Sequence, residues 1–427
     1  AMRAESMQAD FANPFDMMRL MVTHAGPGTS GANRLRSILS VLAGGKKAAE
    51  LNFRSACEVA DVFAKRLGLG EDVRASLAAS FERWNGRGLP TGAKGTAIPR
   101  PMRLAQLSQE LEVLARIEGL DPALTIIRRR RAKAYDPALT DVVLANGATW
   151  WDIVEPADPW DAALELAPPG PPLGDDAARE SLLVLADFSD LKSPWLGGHS
   201  RAVAVLAGDA CGPAAERAAL VHDLGRVAVA NTVWDKPGAL TRDEHDRAET
   251  HALVTDQLLR RLPYTAAFAD VACSAHERLD GSGYHRRLNG VNLDESRRVL
   301  AAADCYQAMI SDRPHRDAMS PEAAAVELRA MCADGRLCGE AVERVLVAAG
   351  HTRSRSTALP AGLTAREVEV LRLIALGLTT REVAERLVIS AKTADRHIQN
   401  IYAKIGVSTR GAAALFAIEQ GLLAIGG

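Results

Sequence analysis

Seven of the chain's ten histidines lie between His199 and His315, and His222 directly precedes Asp223. Neighbouring side chains on a helix diverge by about 100°, so both can bind one metal ion only if other segments supply the rest of its coordination shell. Further imidazole and carboxylate groups are available from four separate helical segments: His199, His251, His276 and Asp304. Mixed ligands of this kind suit Mn²⁺, Fe²⁺ or Zn²⁺ better than Mg²⁺ or Ca²⁺. The spacing predicts a transition-metal site built between helices.

Helices must position these side chains. Apolar residues recur at three- and four-residue intervals, as in Ala56, Val59, Ala60 and Phe63, which is the pattern of an amphipathic helix. Aromatic residues make up 4% of the chain, and the alternation typical of strands is scarce. We therefore predict an all-α protein.

Two segments are predicted linkers. Six of the 20 prolines lie in residues 155–176, and proline-rich stretches favour extended linkers. A short polar stretch, residues 351–361, precedes a new periodic segment. The predicted domains are residues 1–154, 177–350 and 362–427.

The first two domains share an internal repeat. Residues 82–90 (ERWNGRGLP) align without gaps with residues 277–285 (ERLDGSGYH), and the same offset of 195 carries Gly95 onto Gly290 and Arg103 onto Arg298. The fixed register around a glycine-rich turn favours shared architecture. We interpret the first domain as a degenerate copy of the second.

The second domain carries five motifs whose order and spacing can be compared with known families. They are GHSR at 198–201, VHDLGR at 221–226, KPGALT at 236–241, HERLDGSGY at 276–284 and SDRP at 311–314. Together with His251 and Asp304, they resemble the HD-GYP branch of HD-domain phosphohydrolases over about residues 180–350. The resemblance implies a helical domain that binds two, sometimes three, transition metals and hydrolyses cyclic di-GMP.

The resemblance also implies roles for individual residues. The implied metal ligands, with Asp223 bridging, are His199, His222, Asp223, His251, His276 and Asp304. Asp223 is thereby also a catalytic residue. A phosphodiester is anionic, so metal ions are needed to activate water and to neutralise the phosphate oxygens. Arg226, where the family usually has a lysine, and Arg278 would add charge-assisted hydrogen bonds to the phosphate.

Three positions depart from the family pattern. Ala275 stands where a second consecutive histidine is usual, His285 replaces the proline of the Gly-Tyr-Pro signature, and Gln307 stands where aspartate is common. The remaining ligands suffice for one Fe, Mn or Zn ion, whereas occupancy by a second is open. His285 is an alternative ligand that could compensate.

In the first copy, Asn52 and Gln109 stand where the second has His199 and Asp304, and the segment holding the His-Asp pair is missing. We therefore expect no metal site there. The alternatives for this domain are a structural role, a dimerising role or a degenerate ligand pocket.

The C-terminal segment has a different pattern. Thr364 followed by Glu367 forms a capping box, and Gly377 ends that helix. A second helix is expected over 380–387, and a third from the cap at Ser390 to about Lys404. Apolar residues line one face of the third helix and polar residues the other. This is the geometry of a helix-turn-helix that reads the major groove.

Residues 360–425 closely resemble the LuxR-type helix-turn-helix domain, which implies four helices, binding to a double-stranded DNA operator and dimerisation through the last helix, about residues 409–420. By this resemblance Lys392 and Lys404 hold phosphates. The side chains that approach bases or phosphates are Thr393, Asp395, Arg396 and His397. His397 could instead pack between helices, and the whole module could be a helical protein-interaction domain.

The leading hypothesis is a homodimeric transcription regulator that couples an HD-GYP-like phosphodiesterase, acting on cyclic di-GMP or a related nucleotide, to a LuxR-type DNA-binding domain. The alternatives are a non-catalytic receptor for a nucleotide or metal, and a dimerisation scaffold. The net charge is −2 and six cysteines lie scattered. The sequence has no apolar run of membrane-spanning length. These features predict a cytoplasmic protein with reduced thiols.

Overall fold

The computed structural model describes residues 50–155, 158–167, 170, 172–350 and 360–423. Within these ranges the chain forms α-helices and short 3₁₀ helices, with isolated β-bridges and no β-strand. The predicted all-α class is confirmed. None of the described helices has the length and apolar character needed to cross a membrane.

The chain divides into two compact units, Ala1–Pro172 and Leu173–Gly427. The described helices of the first unit are α1 (50–66), α2 (Glu71–Ala78), α3 (Arg100–Glu118), α4 (Leu120–Arg130), α5 (Pro137–Val154) and α6 (Pro159–Leu166). Helix α4 packs between α3 and α5. Its Ile127 is buried with Leu107 and Val143 from these two neighbours.

Helix α6 lies inside the predicted proline-rich linker. Asp158 caps its first turn by accepting hydrogen bonds from the amides of Trp160 and Asp161. Pro159 occupies the first helical position, where a missing N–H costs nothing. The boundary between the two units does fall within the predicted linker, but the segment is not uniformly extended. The linker predicted at 351–361 lies mostly outside the described residues.

The second unit contains a helical domain and a C-terminal module. The helices of the domain are α7 (Asp175–Asp190), α8 (His199–Cys211), α9 (Pro213–Leu220), α10 (Asn231–Trp234), α11 (Arg242–Leu259), α12 (Pro263–Ala272), α13 (Glu295–Met309), α14 (Pro321–Ala333) and α15 (Gly339–Ala348). Helix α8 contacts α9, α13 and α15. Its Val203 and Ala207 are fully buried in one continuous apolar core.

The C-terminal module, residues 360–423, has four helices: α16 (Ala365–Ala375), α17 (Thr380–Arg386), α18 (Ala391–Ile405) and α19 (Arg410–Glu419). The predicted capping box of Thr364 and Glu367 is present, and Thr379 with Glu382 forms a second one. Ser390 caps α18 as predicted. The buried Leu371, Ile398 and Ile401 form the module's own core.

The two glycine-rich turns of the repeat have matching geometry. In the first turn, residues 82–92, the buried Glu82 accepts hydrogen bonds from the amides of Thr91 and Gly92. In the second turn, residues 277–288, Glu277 accepts them from Arg286 and Leu288. A 3₁₀ helix follows each turn, at Gly95–Ala97 and Gly290–Asn292, and the next helix begins at Arg100 or Glu295, again 195 residues apart.

Candidate metal centre and DNA-binding surface

The first turn of α8 presents His199. Gly198 precedes it with φ of +76°, in the left-handed region that glycine adopts without penalty. The carboxylate of buried Asp190 at the end of α7 accepts hydrogen bonds from the Ser200 amide (2.9 Å) and hydroxyl (2.7 Å). Burial raises the pKa of Asp190 to about 6. These contacts fix the start of α8 and so the position of the imidazole.

His222 and Asp223 lie between α9 and the 3₁₀ helix Leu224–Ala228. The Nδ1 of His222 lies 2.7 Å from the Ala219 carbonyl oxygen. An Nδ1–H donating to that oxygen leaves Nε2 free to act as a ligand. Next in the chain, Gly225 allows close packing on α11, because a Cβ there would overlap the His251 carbonyl oxygen.

His251 projects from α11, and its Nδ1 lies 2.5 Å from the Ala248 carbonyl oxygen. Its Nε2 faces the Nε2 of His276 at 2.9 Å. The ring of Tyr284 stacks on His276, with centroids 4.9 Å apart and an interplanar angle of 16°. The aromatic contact restrains the rotation of His276.

Asp223 lies at the centre of the cluster. Its Oδ2 is 3.0 Å from His222 Nε2 and 3.5 Å from His199 Nε2. Its Oδ1 is 3.2 Å from the Nε2 atoms of both His251 and His276. One carboxylate therefore faces two pairs of imidazoles, one pair on each oxygen.

Asp304 on α13 closes the first group. Its Oδ1 lies 3.1 Å from His199 Nε2 and 3.5 Å from His222 Nε2, and its Oδ2 lies 3.4 Å from His276 Nδ1. Two candidate ligand groups result, one of His199, His222, Asp223 and Asp304 and one of Asp223, His251 and His276. None of these six residues is more than 8% exposed.

The electrostatics of the cluster favour a bound cation. Burial raises the pKa of Asp223, but the Arg226 guanidinium and the His222 imidazole outweigh burial and hold this pKa well below its usual range. Burial lowers the pKa of His222, but the Asp223 and Asp304 carboxylates raise it to about 10. Without a metal, the proton on His222 therefore supplies the positive charge that Asp223 and Asp304 attract, and a metal ion at this place would supply it instead.

Several buried polar atoms of the cluster make no hydrogen bond of good geometry, although His222 Nε2 and Arg226 Nη2 both approach Asp223 Oδ2 as ion pairs. They are His199 Nδ1, His222 Nε2, Asp223 Oδ2, and Nε and Nη1 of Arg226. Native proteins rarely leave such atoms unsatisfied. A metal ion among the imidazole and carboxylate atoms would satisfy His222 Nε2 and Asp223 Oδ2, and an anion would satisfy the guanidinium nitrogens. The residues present fit a transition-metal centre.

Residues 184–337 match the family model described as "HD domain". The 3′3′-cGAMP-specific phosphodiesterase 3 of Vibrio cholerae is 32% identical over 316 residues, which cover 71% of this chain and 69% of that relative. This chain belongs to the HD-domain family, in its HD-GYP branch. A cyclic di-GMP phosphodiesterase response regulator of Xanthomonas campestris is 35% identical over 136 residues, 30% of this chain and 36% of that relative.

The fold of the HD-GYP protein also has a solved counterpart. The crystal structure of a cyclic GMP-AMP-specific phosphodiesterase of V. cholerae matches with a TM-score of 0.53 and 25% identity, covering 83% of this chain and 86% of that one. Residues 361–417 match the family model "Bacterial regulatory proteins, luxR family". The chain thus joins an HD domain similar to cyclic dinucleotide phosphodiesterases to a LuxR-type DNA-binding domain.

Two further residues named by the sequence belong to neither candidate ligand group. Arg278 donates hydrogen bonds to the carbonyl oxygens of Ala275 (3.2 Å) and Glu277 (2.7 Å) and to Cys305 Sγ, next to Asp304. These bonds hold the second turn, and the contact of Arg278 with phosphate stays a prediction. His285, the alternative ligand, lies with its Nε2 3.9 Å from an Asp256 oxygen and belongs to neither candidate ligand group of the cluster.

The sequence did not assign roles to Asp190 and Tyr284, although both contact the HD-GYP centre. The Ser200 contacts of Asp190 depend on how α7 approaches α8, and no local motif encodes that. Tyr284 follows Gly283, where a Cβ would overlap the His276 carbonyl oxygen. The glycine-tyrosine pair could have been recognised as a turn that folds back on the preceding histidine.

The LuxR-type module presents most of its predicted DNA contacts to solvent. Lys392, Thr393, Asp395 and Arg396 are exposed on α18, and His397 is half-buried. Lys404 differs, because its Nζ lies 2.7 Å from the buried Glu367 carboxylate and donates to the Gly362 carbonyl oxygen. This lysine holds α18 to the start of α16, so its predicted phosphate contact has an internal competitor.

Proposed function

We propose that the HD-GYP domain hydrolyses a phosphodiester bond of a cyclic dinucleotide with one or two transition-metal ions, and that the protein binds operator DNA through α18. The observation that carries the proposal is the buried convergence of four imidazoles and the Asp304 carboxylate around Asp223. Burial of so many ionisable groups is costly unless a cation compensates for it.

In this proposal His199, His222 and Asp304 would hold one metal ion, His251 and His276 would hold a second, and Asp223 would be a ligand in both groups. The donor set favours Fe, Mn or Zn. When bound, such ions lower the pKa of water and neutralise charge on a phosphate. The chain's own part is to fix the donors, and backbone contacts to the Nδ1 atoms of His222 and His251 orient two of the six.

Arg226 is proposed to contact the substrate phosphate. Its Nη2 lies 2.5 Å from Asp223, which leaves two buried nitrogens with hydrogens to donate. The guanidinium lies 5.5 Å from the ring centroid of Trp234, so its position is fixed before a phosphate arrives. A charge-assisted hydrogen bond to a phosphate oxygen is stronger than one between neutral groups.

Similarity to relatives named for 3′3′-cGAMP and for cyclic di-GMP supports a cyclic dinucleotide as substrate. In this reaction the water oxygen forms a bond to phosphorus, one P–O ester bond of the ring breaks, and the leaving ribose oxygen takes up the proton that water loses, which yields the linear dinucleotide. Similarity to the luxR family supports a double-stranded operator as partner, a homodimer on that operator and a cytoplasmic location, where bacterial DNA lies.

The test combines metal analysis with turnover. The purified full chain should contain one or two equivalents of Fe, Mn or Zn, and should linearise 3′3′-cGAMP, cyclic di-GMP or both. Arg226→Met should keep the metal and lose activity by about 10²-fold or more. A chain without transition metal would contradict the proposal. Metal and tight nucleotide binding without hydrolysis would instead establish a receptor.

DNA recognition is tested by Arg396→Ala. If Arg396 reads a base, binding to the selected operator should weaken by about 1–3 kcal/mol, with much less effect on unrelated DNA. Equal loss on all sequences would assign this side chain to a phosphate. Unchanged binding to every sequence would exclude α18 as the reading helix.

A further inference from the structure

A cavity of about 200 Å³ lies between the HD-GYP domain and the LuxR-type module, inside the second compact unit. The HD-GYP side is formed by residues on both sides of the start of α8 and on the 311–314 loop: Trp195, Gly198, His199, Ser311 and Asp312. The module closes the other side with Arg372 and Leu376 at the end of α16 and with Leu423.

This cavity adjoins the candidate metal centre at one residue. His199 lines the cavity, and its Nε2 lies 3.1 Å from Asp304 within the proposed ligand group. We call the cavity the mouth, and the DNA-binding module forms part of its wall.

The module is packed tightly against the mouth. A Cβ on Gly197 would overlap Leu423 Cδ1 and would lie 3.7 Å from Ile418 Cγ1. A Cβ on Gly377 would lie 3.4 Å from the ring of Pro194. The Nε of Arg372 donates to the Leu422 carbonyl oxygen at 2.6 Å, which fixes the last described residues over the mouth.

The space that remains is small. Sites for drug-sized ligands are commonly about 300–1,000 Å³, and a cyclic dinucleotide, with two bases, two riboses and two phosphates, is at least of that size. The mouth volume of about 200 Å³ falls below this range.

We propose that the LuxR-type module is an autoinhibitory cover of the HD-GYP site, so that module seating and cyclic dinucleotide binding exclude each other. The proposal rests on the proposed function only for the identity of the ligand. A nucleotide that binds the open form shifts the module from its seat. The DNA-contacting side chains of α18 are exposed while the module is seated. Nucleotide binding would therefore change where α18 lies relative to the HD-GYP domain, and would leave the exposure of α18 unchanged.

Linkage makes this coupling reciprocal. If operator DNA binds the released module more tightly than the seated one, DNA must raise nucleotide affinity by the same factor by which nucleotide raises DNA affinity. The HD-GYP site would then bind the nucleotide most tightly when the protein is bound to its operator.

The decisive variant is Gly197→Trp in the full chain. Gly197 has φ of −54°, which any residue adopts without strain, so the indole acts through the space that it takes from Leu423 and Ile418 of the module, both within 4 Å of the Cβ position. If the open form is at most about one molecule in ten, displacing the module should lower KM for the cyclic dinucleotide by about tenfold or more. Metal content should stay unchanged.

Two further substitutions are the controls. Gly197→Ala adds a methyl whose one close contact is Leu423 Cδ1, the end of a flexible side chain that can turn aside, so its KM should stay near that of the parent. Gly339→Trp adds the same indole where a Cβ meets nothing within 4 Å, and its KM should equal that of the parent.

Hydrogen exchange separates this proposal from the proposed function. Amides of residues 195–198 and 420–423 should exchange faster in Gly197→Trp than in the parent, whether or not any nucleotide is cleaved. Equal exchange rates in the variant and the parent would contradict the packing of the module over the mouth. Faster exchange in the variant with an unchanged KM would contradict the claim that the seated module excludes the nucleotide. If no chain cleaves a cyclic dinucleotide, the proposed function fails, while calorimetry with the same nucleotides still tests exclusion through the dissociation constant.

Discussion

The two glycine-rich turns have nearly the same backbone and different chemistry. Each begins with a buried glutamate whose carboxylate accepts hydrogen bonds from backbone amides on the far side of the turn. Three residues after the glutamate, the side chain of Asn85 accepts a hydrogen bond from the Arg87 amide. At the matching position of the second turn, Asp280 accepts one from the Ser282 amide. The first unit thus keeps the hydrogen bonds that define the turn.

The difference lies in the residue just before the glutamate. In the second turn this is His276, which faces Asp223 and Asp304. In the first turn it is Phe81, whose ring lies 4.5 Å from that of Phe53 on α1. The same turn therefore presents a candidate metal ligand in the second domain and an aromatic contact in the first unit. The backbone of the turn does not by itself decide its chemistry.

The strongest test of this difference between the turns is Asp223→Asn. The amide keeps the size of the side chain but leaves Arg226 without a negative partner in a buried site. Metal content should fall and hydrolysis should decrease by about 10³-fold. Gln109→Ala, at the first-unit position aligned with Asp304, should change neither quantity. Full metal occupancy in Asp223→Asn would show that the carboxylate is not a shared ligand.

Exchanging the residues at positions 81 and 276 is the next test. His276→Phe gives the second turn the aromatic residue of the first and should lower metal occupancy and activity by about 10–100-fold, since outer contacts around metal sites already carry effects of this size. Phe81→His should add no metal, because Gln109 rather than aspartate stands at the position aligned with Asp304. A second metal equivalent in Phe81→His would show that the two turns are chemically equivalent.

Glutamate to glutamine changes in both turns should have similar, smaller effects. Glu82→Gln and Glu277→Gln each weaken two hydrogen bonds to backbone amides, so each should lower the free energy of unfolding of its unit by about 1–3 kcal/mol. Chemical denaturation followed separately for each unit measures this. Only Glu277→Gln should also reduce metal occupancy, since only that turn carries His276.

The smallest expected effect is a release of protons on metal loading. His222, whose pKa is raised to about 10, is protonated at neutral pH without metal and must lose its proton to bind one. Metal titration in weak buffer should therefore release about one proton or more per chain, and metal affinity should rise with pH. No proton release would contradict ligation by His222.

The same group sets a pH dependence of stability in the metal-free chain. The folded-state pKa of His222 lies above the ordinary value of 6.5, so its contribution to folding is fully present below about pH 6.5 and is lost as pH rises toward 10. Thermal unfolding of metal-free protein across that range, compared with His222→Gln, measures the loss. The first unit has no such cluster among its described residues.

Local sequence signals predicted much of the fold. The caps at Thr364 and Ser390 placed the starts of α16 and α18, because a cap is a contact between residues three apart in the chain. The repeat offset of 195 placed both turns. The helix in the proline-rich segment was less predictable. Proline is common both at the first position of a helix, as at Pro159, and in extended linkers, so its presence does not distinguish the two.

By itself, the sequence determined the all-α class, the starts of the capped helices in the C-terminal module and which imidazoles and acids could act together, because periodicity, capping and motif order are properties of neighbouring residues. Only the tertiary structure decided that Arg278 bonds the carbonyl oxygens of a turn, that Lys404 pairs with Glu367, and that Leu423 lines the cavity beside His199. Those outcomes depend on the distances between groups far apart in the chain, and the packing of whole helices sets such distances.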